Sequence, residues 1–333
     1  MKNPQDPKSV EPRLSRRDLL NLLGVCGVVS ASQLLGCSPQ ALVGPAAPAP
    51  RAGPQPKGTA SPEQALLQDF LFLQLTDPHW GYSGANNPEA SHTLIDAIRR
   101  INETAVVPDF IVFTGDLTQT TDDDALRRRR MKEFKSIVDE LKIKTRYFIP
   151  GEHDAGPDGG MAFREIFGET HGTFEHKGVH FVLIDNVSAA GSQMGAAQLD
   201  WLSKDLAKVP QEQPVVVFAH RPLFELYPSW DWTTQDGGQA IQLLSGHKNV
   251  TVFYGHIHQE HHFKTGNIEH HASRSLIFPL PAPGSVPKKA PLPWDAAARD
   301  HGLGYRDIRE KTGHVAIEEI PFAPSATATA SPS

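Results

Sequence analysis

The sequence predicts an α/β fold: parallel strands joined by helices, with a second, mainly antiparallel sheet packed on them. Three observations predict it. Apolar, strand-like runs alternate with helical periodicity from residue 70 to about residue 255, the pattern of β-α-β units. The C-terminal third then changes to short strand-like runs without long helices. Finally, five of the apolar runs end in residue types that bind metals, as happens when strand ends converge on one site.

The elements follow in order. The first strand falls near 70–76, and a helix with Leu94, Ile95, Ile98 and Ile101 on one face comes after it. A strand near 110–114, a long helix over about 122–141 and a strand near 146–149 complete a β-α-β-α-β unit, which implies parallel strands and right-handed crossovers. Residues 180–185 form another strand, and 195–209 a helix with Leu199, Leu202 and Leu206 inside. Strands at 215–219 and 250–254 come next. Residues 268–273, 276–280, 304–309 and 315–320 are the short strands assigned to the second sheet, and 281–293 is a proline-rich loop.

Bulk properties bound the function. The 333 residues are 39% hydrophobic and 21% charged, ordinary for a globular chain. With the tails set aside, one domain of roughly 250 residues remains, near the upper limit for a single core. Lys and Arg total 32 against 38 Asp and Glu, a net charge of -6, which argues against nucleic acid as a bulk partner. The Arg127–Arg130 run is the one basic cluster; it sits in an amphipathic pattern and reads as a solvated helix face rather than a binding patch.

Residues 1–37 read as a targeting segment. Ser15-Arg16-Arg17-Asp18-Leu19-Leu20 resembles a twin-arginine export motif. The weakly apolar stretch after it is too interrupted by polar residues for a stable spanning helix. Leu34-Leu35-Gly36-Cys37 resembles a bacterial lipobox, with Cys37 as the lipidated residue, and the alternative is cleavage elsewhere with Cys37 incidental. A lipid on Cys37 would tether the domain to the outer face of a membrane or hold it in the periplasm. Residues 38–65 are a Pro/Ala-rich linker, 66–322 the domain, and 323–333 an expected disordered tail. The only cysteines are Cys26 and Cys37, so thiolate ligands, disulfides and a Cys nucleophile are excluded from the mature domain. The ligands must be histidine and carboxylate. Oligomeric state has no signature.

The five strand ends are Asp77-Pro78-His79, Gly115-Asp116, Gly151-Glu152-His153-Asp154, His220, and Gly255-His256-Ile257-His258. In this order they resemble the motifs of the calcineurin-like metallophosphoesterases, over about residues 70–260. The resemblance implies a four-layer α/β/β/α sandwich of two mixed sheets flanked by helices. It implies that Asp77, His79 and His258 hold one metal, that His220 and His256 hold a second, and that Asp116 bridges them. His153 would protonate the leaving oxygen or stabilise phosphoryl charge, oriented by Asp154 through its second ring nitrogen. Chemistry supports the pattern independently. Phosphoester hydrolysis needs neutralised non-bridging oxygens and a nucleophile at neutral pH, and two metals roughly 3.5–4 Å apart supply both. Mixed His and carboxylate ligands suit Fe, Mn or Zn.

Glu152 departs from the family, which places Asn there as a neutral ligand to the second metal. Glu152 would either ligate, giving a more anionic and less Lewis-acidic site, or turn away, or mark a site degraded into a binding module. His261, His262, His270, His271, His92 and His171 are weaker candidates, mostly for the surface. Arg221 reads as a structural salt bridge or a phosphate contact. Trp80, Trp230 and Trp232 would either wall the substrate pocket or serve the core. The expectation is an exported metal-dependent phosphoesterase using metal-bound hydroxide on a small phosphoester. It looks more like the phosphodiesterase branch, scavenging nucleotides, glycerophosphodiesters or lipid head groups. Its rival is a non-catalytic metal-binding or adaptor protein that keeps the fold.

Overall fold

The structure, a computed structural model, describes residues 69–311 and 314–322. The expected targeting segment with Cys37, the expected linker at 38–65, residues 66–68 and the expected 323–333 tail lie outside the described residues. In chain order the elements are β1 (Phe70–Leu75), α1 (Ala90–Glu103), β2 (Phe110–Thr114), α2 (Asp124–Val138), β3 (Arg146–Ile149), α3 (Glu152–Ala155), α4 (Met161–Phe167), β4 (Gly172–His176), β5 (Val179–Leu183), α5 (Ala196–Leu206), β6 (Val215–Phe218), α6 (Gly237–Leu244), β7 (Val250–Tyr254), β8 (His261–Thr265), β9 (Ile268–Ala272), β10 (Gly304–Lys311) and β11 (His314–Pro321).

Two mixed sheets result. One has the order β11-β10-β1-β2-β3 and the other β4-β5-β6-β7-β9-β8. Strands β1, β2 and β3 are parallel, as are β5, β6, β7 and β9, while β10, β4 and β8 run antiparallel to their neighbours. The apolar runs have no polar face because both faces of the central strands are covered. In β1, Leu71, Leu73 and Leu75 pack with Leu94, Ile98, Met131 and Phe134 of α1 and α2. On the opposite face Phe70 and Phe72 meet Phe181, Phe218 and Phe253 of the other sheet. Beyond that sheet, Val215, Val217 and Val252 pack on Leu199, Leu202 and Leu244 of α5 and α6. The layers are therefore helices, sheet, sheet, helices: the expected α/β/β/α sandwich.

The assignment of the C-terminal strands to a sheet of their own is corrected. Strands β10 and β11 join the sheet of β1, whereas β9 joins β7 with β8 at its edge. Residues 276–280 are not a strand. The expected solvated face of Arg127–Arg130 is corrected in part. Arg127 is only 5% exposed, bonding Asp158 at 3.3 Å and Thr121 O at 2.9 Å. Arg128 bonds Glu165 at 2.7 Å, Arg129 pairs with Glu133 at 3.7 Å, and Arg130 bonds Gln119 O at 2.9 Å. Arg127 and Arg130 thus tie neighbouring loops to α2, Arg128 ties α4 to it, and Arg129 stays on the exposed surface of α2.

Candidate metal centre

Each ligand-bearing segment starts where a strand stops. Asp77 and His79 follow β1, Asp116 follows β2, and Glu152, His153 and Asp154 form α3 after β3. His220 follows β6, and His256 and His258 follow β7. The first three strands belong to one sheet and the last two to the other, so the residues meet at the seam of carboxyl ends. Converging there bends the backbone. Asp77, His79, Asp116, His256 and His258 have left-handed φ values of 53°, 44°, 48°, 66° and 52°; among the described non-glycine residues only Lys177, Ser192 and Asp231 share that region. Each such residue costs on the order of 1–3 kcal/mol and persists only where its surroundings enforce it. Here the enforcement is hydrogen bonding between the loops. Asp77 N donates to Gly115 O at 3.1 Å and His79 N to Asp116 O at 2.9 Å. His256 N donates to Asp77 Oδ2 at 3.0 Å, and His153 N to Asp116 Oδ1 at 2.9 Å. The loops approach so closely that a Cβ on Gly151 would overlap Asp116 Oδ1, and one on Gly255 would overlap Thr76 Oγ1.

The side chains fall into two groups, joined by a third made of His79, Asp116 and His153. Asp116, Glu152, His220 and His256 present ligand atoms within 4.8 Å of one another, and so do Asp77, His79 and His258. Asp116 Oδ2 lies between the groups, 3.5 Å from His220 Nε2 and 3.5 Å from His79 Nε2. Glu152 does not turn away: Oε1 is 2.8 Å from His256 Nδ1 and Oε2 is 2.9 Å from His220 Nε2. The second ring nitrogens are held from behind. His220 Nδ1 donates to Thr114 O at 2.8 Å and His258 Nδ1 to Phe278 O at 2.8 Å, and His79 Nδ1 faces Gln119 Oε1 at 3.2 Å. These acceptors place a proton on Nδ1 and aim Nε2 at the cluster. Asp77 Oδ1, Glu152 Oε2 and His220 Nε2 are buried without a hydrogen bond of acceptable geometry, although close neighbours surround them. Buried polar atoms that converge without pairing are costly in a protein. Their chemistry, imidazole nitrogen and carboxylate oxygen, fits a pair of transition metals.

Electrostatics agree with that fit. Burial raises the Glu152 carboxyl, but His256 and His220 outweigh it and hold it well below the usual carboxylate range. Asp116 is lowered too, against burial and the Glu152 charge, by His153 and His220. Burial pushes His79 down to about 3, and His256 to about 4 with Glu152 opposing. His220 alone goes the other way: burial lowers it, yet Asp116 and Glu152 raise it well above the ordinary range. The Asp116 and Glu152 carboxylates thus favour the protonated form of His220, a preference that a metal at the same atoms would oppose.

His153 differs from the others. Its side chain is 28% exposed, with Nε2 3.9 Å from Asp116 Oδ2 and its ring 4.6 Å from that of His79. The expectation that Asp154 orients it is corrected. Asp154 Oδ2 accepts from Leu117 N at 2.9 Å and Gly151 N at 3.0 Å, and Oδ1 from Thr118 N and Thr118 Oγ1, each at 2.9 Å. Fully engaged by those donors, its carboxylate braces the loops after β2 and before α3. His153 Nδ1 instead accepts from Thr120 N at 3.3 Å, which leaves its proton on Nε2.

The weaker candidates are placed as follows. Arg221 bonds Thr233 O at 3.1 Å and Asp231 Oδ2 at 2.8 Å, with Nη1 3.8 Å from Glu152 Oε1. Trp230 and Trp232 are buried with Phe224 and Tyr254, which gives them a core role. Trp80 caps the α2 side, donating to Glu133 at 3.1 Å. His261 bonds the Tyr254 hydroxyl, His262 faces His271, and His270 bonds Thr265; none joins the ligand groups. His92 is exposed, and His171 packs on Trp201. Thr114 and Phe278 buttress the histidines through backbone carbonyls, which carry no signature in sequence, and Gln119 does so through a side chain that no motif marks.

A two-sheet α/β sandwich with this donor set defines a metal-dependent hydrolase. The calcineurin-like phosphoesterase family matches residues 70–260, and the chain belongs to it; that family is built around a dinuclear metal site. Among similar proteins is a 3',5'-cyclic-nucleotide phosphodiesterase of Nostoc sp., 22% identical over 219 residues, which are 62% of this chain and 78% of the relative. A probable glycerophosphodiester phosphodiesterase of Arcobacter nitrofigilis is 29% identical over 163 residues, covering 46% of this chain and 57% of the relative. A dimetal phosphatase from Danio rerio has the same fold, with a TM-score of 0.52 and 15% identity over 76% of this chain and 99% of that one.

Proposed function

We propose that this protein is an exported dinuclear-metal phosphoesterase that cleaves a small phosphodiester in preference to a phosphomonoester. The observation that carries the reading is Asp116 Oδ2, equidistant at 3.5 Å from a histidine of each ligand group. In this reading Asp77, His79 and His258 hold one metal, Glu152, His220 and His256 the other, and Asp116 both. When bound, two Fe, Mn or Zn ions neutralise phosphoryl charge and make a nucleophile available at neutral pH. The chain does the rest. His153, fixed through Thr120 N, directs Nε2–H toward the leaving oxygen and gives it a proton as the P–O bond breaks. The preference for a diester rests on the names of the two curated relatives. Export and a lipid anchor on Cys37 rest on the Ser15–Leu20 and Leu34–Cys37 motifs, and favour an extracytoplasmic scavenging role over signalling inside the cell.

The test uses purified protein. Elemental analysis is expected to find close to two transition metals per chain, and a bis-aryl phosphodiester should turn over faster than the matching aryl monoester. Two metals with hydrolysis of neither ester, across Fe, Mn and Zn reconstitutions, would establish the metal-binding adaptor instead.

A further inference from the structure

Histidines also cluster away from the ligand groups, on the hairpin of β8 and β9. His262 and His271 stand directly opposite each other in its antiparallel register. Cross-strand partners share one face of a sheet and lie within side-chain reach. Here the two rings meet with Nδ1 2.6 Å from Nδ1 and centroids 4.9 Å apart. Two imidazoles brought nitrogen to nitrogen need a cation between them, either a shared proton or a metal.

The carboxylates around the pair decide which nitrogens are free. Glu260 Oε1 is 3.2 Å from His262 Nε2, and Glu269 Oε2 is 3.7 Å from His271 Nε2. An ionised carboxylate only accepts, so each favours a proton on Nε2 and leaves the Nδ1 lone pair facing the other ring. That is the arrangement found behind metal-bound histidines. Both carboxylates are held in turn, Glu260 by Arg274 at 3.6 Å and Glu269 by Lys264 at 3.4 Å, so they orient the rings rather than ligate. Burial, helped by Arg306 and His262, pushes His271 down to about 3, and at neutral pH no proton has to leave it before a metal binds. The His271 side chain is 12% exposed and that of His262 50%, so a fixed ring faces one that can swing. A slight opening reaches the roughly 3 Å that two nitrogens need when each is about 2.0–2.1 Å from one ion.

We propose that His262 and His271 form a two-histidine site for a divalent transition metal such as zinc, sharing no ligand with the dinuclear centre. Imidazole nitrogens suit such an ion over calcium or magnesium, and its remaining positions stay open to water on the exposed side of His262. Strand β8 is the outermost of its sheet, so an ion bound across the pair clips that edge to β9 and adds its binding energy to the stability of the fold. The inference draws nothing from the phosphoesterase reading, since neither histidine belongs to the ligand groups of the centre.

The full chain, its centre loaded first, is dialysed against micromolar zinc, and bound zinc is counted by elemental analysis beside H262Q, H271Q and H92Q. His92 is an exposed histidine on α1 and serves as control. Wild type and H92Q should carry about one zinc more per chain than H262Q or H271Q. That difference is the same however many ions the centre holds, so it stands or falls apart from the dinuclear reading. Added zinc should also raise the melting temperature of wild type by a few degrees more than that of H262Q. His262 is half exposed, so H262Q decides the matter even where H271Q folds poorly. Equal zinc in wild type and H262Q, or a melting temperature that zinc moves equally in both, would overturn the site. A loss in H92Q matching that in H262Q would overturn it too, as adventitious binding to surface histidines.

Discussion

Glu152 presents one oxygen to each of two histidines, 2.8 Å from His256 and 2.9 Å from His220. As a charged ligand it should bind metal tightly and blunt its Lewis acidity. Glu152→Asn is therefore expected to lower metal retention by about tenfold or more, and to raise turnover once metal is saturating. Metal content by mass spectrometry and kcat would check this, and both unchanged would show that Glu152 touches no metal. His153 is expected to act late, on the leaving oxygen. Replacing it with Asn should cost on the order of 10²- to 10⁴-fold in kcat, more with an alkyl leaving group than with a nitrophenolate, while metal content holds. Equal losses for both leaving groups would assign His153 to charge stabilisation alone. For Asp154 the expectation is a stability defect. Leu117 N, Thr118 N and Gly151 N all donate to it, so Asp154→Asn should cost roughly 2–4 kcal/mol in denaturant unfolding. A large kcat loss at unchanged stability would restore its pairing with His153.

At the level of elements, the ligand-bearing strand ends were legible because β1, β2, β6 and β7 are largely apolar and buried, and each of them, like the shorter and more exposed β3, is followed within three residues by a ligand residue. The partition into two sheets was not. β3 and β5 read alike, and nothing local marks the chain's passage between sheets through α3, α4 and β4. The return of β10 to β1 pairs Phe70 with Glu310, a register that no local window contains. Residues 276–280 have strand-like composition, yet they form the loop that supplies Phe278 O to His258. Trp230 and Trp232 carried no sign of which way they face, since a buried tryptophan and a pocket tryptophan have the same neighbours in sequence. The partition of the ligands between two metals came from the family resemblance; the structure brings those side chains together in overlapping groups, one of which also takes in His153. It also shows what the motif glycines are for: Gly151 and Gly255 lie where another loop occupies the space of a side chain.

For the whole molecule, acid is the expected weakness, and β9 carries part of it. Burial depresses His270 to about 4 and His271 to about 3, both below the unfolded value of 6.5. Their neutral forms are favoured by folding, so the stability they contribute is whole above pH 6.5 and is lost as pH falls toward 4. His270→Gln removes one such group, and the stability lost between pH 6.5 and 4 should shrink by roughly 1–3 kcal/mol. An unchanged pH profile of the denaturation midpoint would place the acid sensitivity elsewhere. The seam between the sheets has a consequence of another kind. Because the donors come from five separate strand ends on two sheets, no fragment of the chain holds a complete set, and a nascent chain can grasp a metal only weakly until both sheets have docked. Metal capture then reports that assembly is finished, so a bound metal serves as a certificate of correct folding as well as an instrument of chemistry.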